Sequence, residues 1–229
     1  MRLALIGRAP PAYDRRFMET MARAYLDRTP WTELRLAAIR DLVEPEAGDR
    51  VVDLGCAAGA MSHYLSSFGC ETIGVDSEPL AVETASSLFP KLRFQQADVT
   101  ALPYGDGSFD KAVAADLVEH LDDSALAAML SEANRVLVRG GTLTVYTPNR
   151  RHLIERLKAR ELVLAQNPTH IGVRAAQELA EAFGRAGFVV DRREWRPSFF
   201  RGLRTVERIA GPRLDLFRYR LCVRGRKPL

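Results

Sequence analysis

Val51-Val52-Asp53-Leu54-Gly55-Cys56-Ala57-Ala58-Gly59 is the stretch on which the reading of this chain turns. Two β-branched residues and a leucine read as the end of a buried strand. The small residues from Gly55 to Gly59 then turn the chain into the apolar-periodic run Met61 to Phe68. Small residues at such a turn let the backbone reverse sharply and let a ligand approach it with no side chain between. The helix that follows offers free N–H groups and the positive end of its dipole.

The turn alone leaves its purpose open. Gly55-x-Ala57-x-x-Ala60, with Asp76 further on, is a degenerate dinucleotide fingerprint, and a small-residue turn that binds nothing also fits. Composition narrows the field. At 229 residues, 47% hydrophobic and 27% charged, the chain is expected to be one globular domain with its own core. No apolar run approaches the ~18 residues of a membrane span. The start, Met1 to Gly7, is too short in its apolar part for a signal peptide. Cys56, Cys70 and Cys222 lack metal-ligand spacing, so a reducing, cytoplasmic setting is expected.

Charge is unevenly distributed. Residues 1–149 hold 14 basic and 21 acidic residues, a net of −7, whereas residues 150–229 hold 19 and 8, a net of +11. Such a split suggests an anionic partner for the basic part, or an arginine-rich solvated surface.

Further strands follow the turn. Glu71 to Asp76 and Leu92 to Asp98 both close on carboxylates, and Phe109 to Ala115 is mostly apolar. Asp122 or Asp123 caps a helix with Leu126, Met129, Leu130, Ala133 and Val136 on one face; Gly140-Gly141 is expected to end it, with a fifth strand over Thr142 to Tyr146. Before the turn, Tyr13 to Tyr25 and Trp31 to Val43 read as helices. Near the end, Arg174 to Ala186 reads as a helix, and Phe188 to Asp191 and Leu216 to Val223 as strands.

Taken together, Asp53-Leu54-Gly55-Cys56-Ala57-Ala58-Gly59, Gly74-Val75-Asp76, Ala97-Asp98, Leu102-Pro103-Tyr104…Ser108-Phe109-Asp110, Val118-Glu119-His120-Leu121 and Arg135-Val136-Leu137…Gly140-Gly141 have the order and spacing of the class I S-adenosylmethionine (SAM) methyltransferases. They resemble most the small-molecule subgroup that includes ubiquinone- and menaquinone-pathway enzymes. The likeness covers about residues 45–190, with Ala57 at a usual glycine. It displaces the nicotinamide reading, which requires neither a carboxylate after the third strand nor the glutamate–histidine pair. It implies a three-layer α/β sandwich with a Rossmann-like, mainly parallel seven-stranded sheet closed by a C-terminal antiparallel hairpin. One methyltransferase domain, 1–229, is expected: a helical lid over 1–48, a SAM-binding core over 49–150, and acceptor-side helices with the final hairpin over 151–229.

The resemblance also implies roles. Gly55, Ala57 and Gly59 would let the amino-acid part of SAM pass close to the backbone, and Asp53 would orient the turn or meet the SAM ammonium. Asp76, with Ser77 beside it, would hold the ribose hydroxyls; Asp98 and Val99 would recognise adenine; Ala115 and Asp116 would border the sulfonium. A hydroxyl acceptor must lose a proton, and histidine is the usual agent near neutral pH. His120, just after the fourth strand, and His170, before the last large helix, are the candidates. Asp116-x-x-Glu119-His120 resembles a metal-binding cluster of certain quinone-pathway O-methyltransferases, but its first position is Asp, and no metal is assigned.

The expected reaction is methylation, at oxygen, of a small-molecule or lipid-linked acceptor, anionic in one reading. The alternatives are an RNA methyltransferase and a non-catalytic SAM-fold binding protein. An RNA-binding module and a base-flipping motif are lacking, so nucleic acid is not the expected partner. Within a long basic insertion at 195–213, Ser198 to Gly211 reads as a helix with Phe199, Leu203, Val206 and Ala210 on one side and Arg201, Arg204 and Arg208 on another. Such a helix suits peripheral contact with a membrane.

Overall fold

A computed structural model describes residues 14–160, 162 and 167–229, and Arg201 by its backbone only. Tyr13, a suggested lid residue, lies outside them. The hydrophobic stretch ending in the glycine-rich turn is strand β1 (Arg50–Leu54), whose Val51, Val52 and Leu54 are fully buried. It pairs in parallel with β2 (Glu71–Asp76) on one side and β4 (Phe109–Ala115) on the other. With β3 (Arg93–Gln96), β5 (Leu137–Pro148), β6 (Val189–Arg196) and β7 (Arg220–Arg226), the order is β3-β2-β1-β4-β5-β7-β6. Only β7 runs antiparallel to its neighbours β5 and β6. The expected closing hairpin is present. The order in which successive strands are added to the sheet reverses between β1 and β4, and a crevice beyond the carboxyl ends of strands at such a point is the usual ligand site.

Alternation along β1 builds the three layers. Val52 and Leu54 face the cluster formed with α5 (Asp123–Val136) and α7 (Ala176–Arg185), including Met129, Leu130, Leu179 and Phe183. Val51 faces the opposite cluster with Leu36, Ile39 and Leu42 of α2 (Pro30–Val43) and Met61 and Leu65 of α3 (Ala60–Ser66). Burying each such leucine contributes about 1.5–3 kcal/mol. α1 (Arg15–Leu26), capped by Asp14 at the Phe17 N–H, packs Met18 and Ala22 against Ala58 of the turn and Ala81 of α4 (Pro79–Leu88).

Four boundaries differ from expectation. The α5 helix stops at Val136, and Gly140-Gly141 lie inside β5, which begins at Leu137 opposite Phe109. Glycine is required there for packing: a Cβ on Gly141 would stand 2.9 Å from the carbonyl oxygens of Asp110 and Val138, beside the register shift between Phe109 and Lys111. The β6 strand extends through Trp195 to Arg196, shortening the insertion, and β7 starts at Arg220 after a 3-10 turn over Asp215–Phe217.

The insertion helix α8 spans Arg201–Ala210, and the apolar side that the pattern groups is divided between inside and outside. Leu203, Glu207 and Ala210 turn inward, while Val206 and Ile209 are 46% and 70% exposed. The cause is a fully buried pair: Glu207 Oε1 lies 3.0 Å from His152 Nε2, and Glu207 Oε2 accepts the Ser198 N–H. His152 caps the short helix α6 (Leu153–Lys158), which the sequence pattern does not announce.

Candidate active site

Positive φ recurs through the turn, at Gly55 (69°), Ala57 (45°) and Gly59 (79°). This is the region that glycine enters without cost, and an alanine there carries strain. What holds Ala57 is Asp76: its Oδ2 accepts the Ala57 N–H at 2.9 Å and its Oδ1 the Glu78 N–H at 3.0 Å. A Cβ on Gly59 would lie 2.6 Å from the Phe94 ring, so this glycine serves packing between α3 and β3.

Two cavities meet at the turn. The first, about 670 Å³, is lined by Gly55, Asp76, Ser77, Asp98, Val99 and His120, at the carboxyl ends of β1, β2 and β3. The Asp98 carboxylate accepts the N–H and the hydroxyl of Thr100, and these bonds hold its pKa below the ordinary value. The second, about 360 Å³, is roofed by Phe17, Met21, Tyr25 and Trp31 of α1 and α2. Asp53, Ala57, Ala115, Asp116, Glu119, His120, His170 and Arg220 form its other walls. Gly55 and His120 line both, so they form two chambers of one cleft. Gly59 is absent from both walls. Volumes of this size suit drug-sized ligands.

The second chamber holds a network of buried charge. Asp116, at φ 54°, binds Arg220 Nη1 at 2.7 Å and is ion-paired with Arg35 of α2. Arg35 also donates to the Ala115 carbonyl and stacks on Tyr25 and Tyr146; Arg220 stacks on Tyr146 and Tyr219. Burial works against ionisation of Asp116, but the two guanidiniums prevail and lower its pKa. Glu119 goes the other way. Burial, and then the Asp116 charge, push it up to about 8, so it carries a proton at neutral pH and accepts from Thr147 Oγ1 at 3.0 Å. Asp53 is also buried; desolvation raises it to about 7, against the Ser62 hydroxyl that donates to it at 2.6 Å.

His120 is oriented by its backbone partner. Its Nδ1 lies 3.1 Å from the Thr169 carbonyl oxygen, which can only accept, so Nδ1 carries the proton and Nε2 keeps a free lone pair. Burial lowers its pKa, and His170, edge-on with ring centroids 4.9 Å apart, is depressed to about 4 by burial and by His120. Both imidazoles are neutral at pH 7. One ligand atom each from Glu119, His120 and His170 lie within 4.8 Å of one another, a grouping able to hold a metal. Glu119 would first have to release its proton beside Arg220.

The structure thus gathers His120, His170, Asp53, Gly55, Ala57, Asp76, Ser77, Asp98, Val99, Ala115 and Asp116 around one cleft. Sequence reasoning missed Arg35, Arg220, Tyr146 and the inward role of Glu119. An arginine set between Leu34 and Leu36 in α2 was the available signal for Arg35.

Residues 51–141 match the model of a methyltransferase domain family. The chain is 36% identical over 127 residues to the chloroplastic tocopherol O-methyltransferase of Arabidopsis thaliana, covering 52% of this chain and 36% of that protein. It is 33% identical over 145 residues to a protein of Mycolicibacterium smegmatis named a probable S-adenosylmethionine-dependent methyltransferase, covering 63% and 54%. The chain therefore spans about half the length, or less, of these curated relatives. In fold it is similar to an S-adenosylmethionine-dependent methyltransferase from Mesorhizobium loti, with a TM-score of 0.67 at 20% identity over 88% of this chain and 100% of that one. Residues 51–141 thus carry a methyltransferase domain, and the Mycolicibacterium relative and the Mesorhizobium structure that resemble it are named as S-adenosylmethionine-dependent. No helix among the described residues is long and apolar enough to cross a membrane.

Proposed function

We propose that this chain methylates an oxygen of a small-molecule acceptor, with the first chamber taking the nucleoside part of SAM and the second taking the acceptor. The observation that carries the reading is the fixed tautomer of His120, whose Nε2 lone pair is free where the two chambers join. SAM supplies an activated methyl on a sulfonium, so the protein's task is mainly alignment and proton removal. Asp76 and Ser77 would take the ribose hydroxyls, Asp98 and Val99 the adenine edge, and Asp53 and Ala57 the amino-acid part. Asp116, held between two guanidiniums, would border the sulfonium, with Ala115 beside it. His120 Nε2 would take the acceptor proton, and His170 would pack against its ring. The relative named as a tocopherol O-methyltransferase supports a hydroxyl acceptor.

The acceptor's lipid character is supported by α8 and its flanks. Phe199, Phe200, Val206, Ile209 and Leu214 are all exposed, beside the exposed Arg208 and Arg213, a mixture suited to a membrane interface. Among the described residues, the free and buried Cys56, Cys70 and Cys222 suit the reducing cytoplasm.

The test is calorimetry with S-adenosylhomocysteine, followed by methyl transfer from labelled SAM to a panel of phenols and alcohols. We expect micromolar binding and turnover of at least one hydroxyl acceptor. A protein that ignores the nucleoside, or that methylates only amines, would overturn the reading.

A further inference from the structure

A third cavity, about 720 Å³, shares His170 with the acceptor chamber. Its walls bring together Arg150, Arg151, Arg156 and Arg160, against two carboxylates, Glu155 and Asp215. Arg151 is paired with Asp215 at 3.2 Å, Arg150 is paired with Glu178, and Glu155 is paired with Lys158 at 2.8 Å. Arg156 and Arg160, four residues apart at the end of α6, have no carboxylate partner among the described residues. Gathering like charges in one concavity is unfavourable unless an anion joins them, and the guanidinium fork matches phosphate oxygens in pairs. The anion-seeking residues thus sit in the last turn of α6 and just beyond it, away from the insertion helix that the sequence pattern favours.

We propose that this cavity is an anion subsite of the acceptor site. It takes the phosphate or diphosphate group of a phosphorylated acceptor on Arg156 and Arg160, with His170 at the boundary between the anionic part and the methyl-receiving part. The assignment of the neighbouring chamber to the acceptor rests on the methyltransferase reading above. The arginine cluster stands without it.

The experiment titrates inorganic diphosphate into the full chain by calorimetry, with S-adenosylhomocysteine in a parallel cell. We expect wild type to bind diphosphate with an affinity that weakens as KCl rises. R156Q/R160Q should lose at least tenfold, while R208Q/R213Q on the insertion should bind as wild type does. Unchanged S-adenosylhomocysteine affinity in R156Q/R160Q shows that this variant is folded. No diphosphate binding by wild type, or equal binding by R156Q/R160Q, overturns the subsite. Diphosphate binding without nucleoside binding overturns the methyltransferase reading instead. A further arm uses phosphatidylcholine vesicles with and without phosphatidic acid. Retention on the anionic vesicles that R156Q/R160Q loses assigns the phosphate to a lipid headgroup; diphosphate binding without retention assigns it to a soluble acceptor. Both uphold the site.

Discussion

Replacing Glu119 with glutamine should change how stability depends on pH, with its smallest effect below about pH 4.5 and a growing one above it. The wild-type carboxyl, buried beside Asp116, is raised from an ordinary value of 4.5 to about 8. An acid with a raised folded-state pKa contributes stability that is complete below the unfolded value. That contribution fades as pH rises towards the folded value. Between pH 6.5 and 8 the unfolded chain holds no proton at this site, while the folded chain passes from almost one to about a half. At about 1.36 kcal/mol per proton per pH unit, this amounts to roughly 1.5 kcal/mol lost across the window. Asp53, raised to about 7, adds roughly 0.8 kcal/mol by the same reasoning. The depressed histidines have the opposite sign: their stability is present above about pH 6.5 and is lost as pH falls through the acid range. Asp53 and the histidines contribute equally to both proteins. Glutamine imitates the protonated acid and keeps an oxygen for the Thr147 hydroxyl. The assay is urea unfolding of wild type and E119Q at pH 6.5, 7.25 and 8. Wild type should lose about 1.5 kcal/mol more than E119Q across the series, roughly 3–6 °C in Tm for a chain of this size. Parallel curves would refute a protonated Glu119 and return the carboxylate to metal or cation binding.

Three more outcomes follow from the same contacts. D76A should weaken S-adenosylhomocysteine binding by about 1.5–3 kcal/mol in calorimetry, because it removes an acceptor at the cleft and also frees the Ala57 N–H. H120A should keep nucleoside affinity and lose about 10²–10⁴ in turnover, and full turnover would make His120 structural. E207Q should cost about 1–3 kcal/mol and raise amide exchange across α8, since either amide orientation sets a donor against His152 Nε2 or the Ser198 N–H; unchanged exchange would refute the anchor.

Where the signal was local, the sequence could be read. Val51 to Gly59 carries strand, turn and helix start within nine residues, and the carboxylates closing β2 and β3 mark strand ends on the same edge of the sheet. Asp98 follows β3 in sequence and lies beside Asp76 in the cleft, as the order of motifs implies. Gly140-Gly141 misled because a double glycine resembles a helix stop; pairing of Leu137 with Phe109 claimed those residues for the sheet instead. Arg35, Asp116 and Arg220 meet only because α2, β4 and β7 converge, and no spacing along the chain announces a contact between residues so far apart. In α8, periodicity grouped Phe199, Leu203, Val206 and Ala210 on one side, but Phe199 and Val206 are exposed while Leu203 and Ala210 turn inward, because apolar pattern alone does not orient the helix. A buried carboxylate orients it.

That choice of anchor bears on how the insertion works. A helix held by apolar contacts must spend its apolar side on the protein, leaving little for anything else. In α8 the inward ridge is Leu203, Glu207 and Ala210, and the fixed orientation comes from Glu207, which meets His152 and Ser198 at once. The His152 Nδ1 accepts the Ile154 N–H at 3.2 Å, so the proton must sit on Nε2, facing the carboxylate. A neutral imidazole donating to a carboxylate is directional where apolar packing is not, and a mispaired buried carboxylate is costly, so rotation of the helix is resisted. Val206 and Ile209 can then remain outside, beside Arg208, without the helix rolling to bury them. The same His152 caps α6, the helix that carries Arg156 and leads to Arg160. One buried pair therefore fixes α8, with its outward apolar side, relative to α6, which carries Arg156 of the arginine cavity.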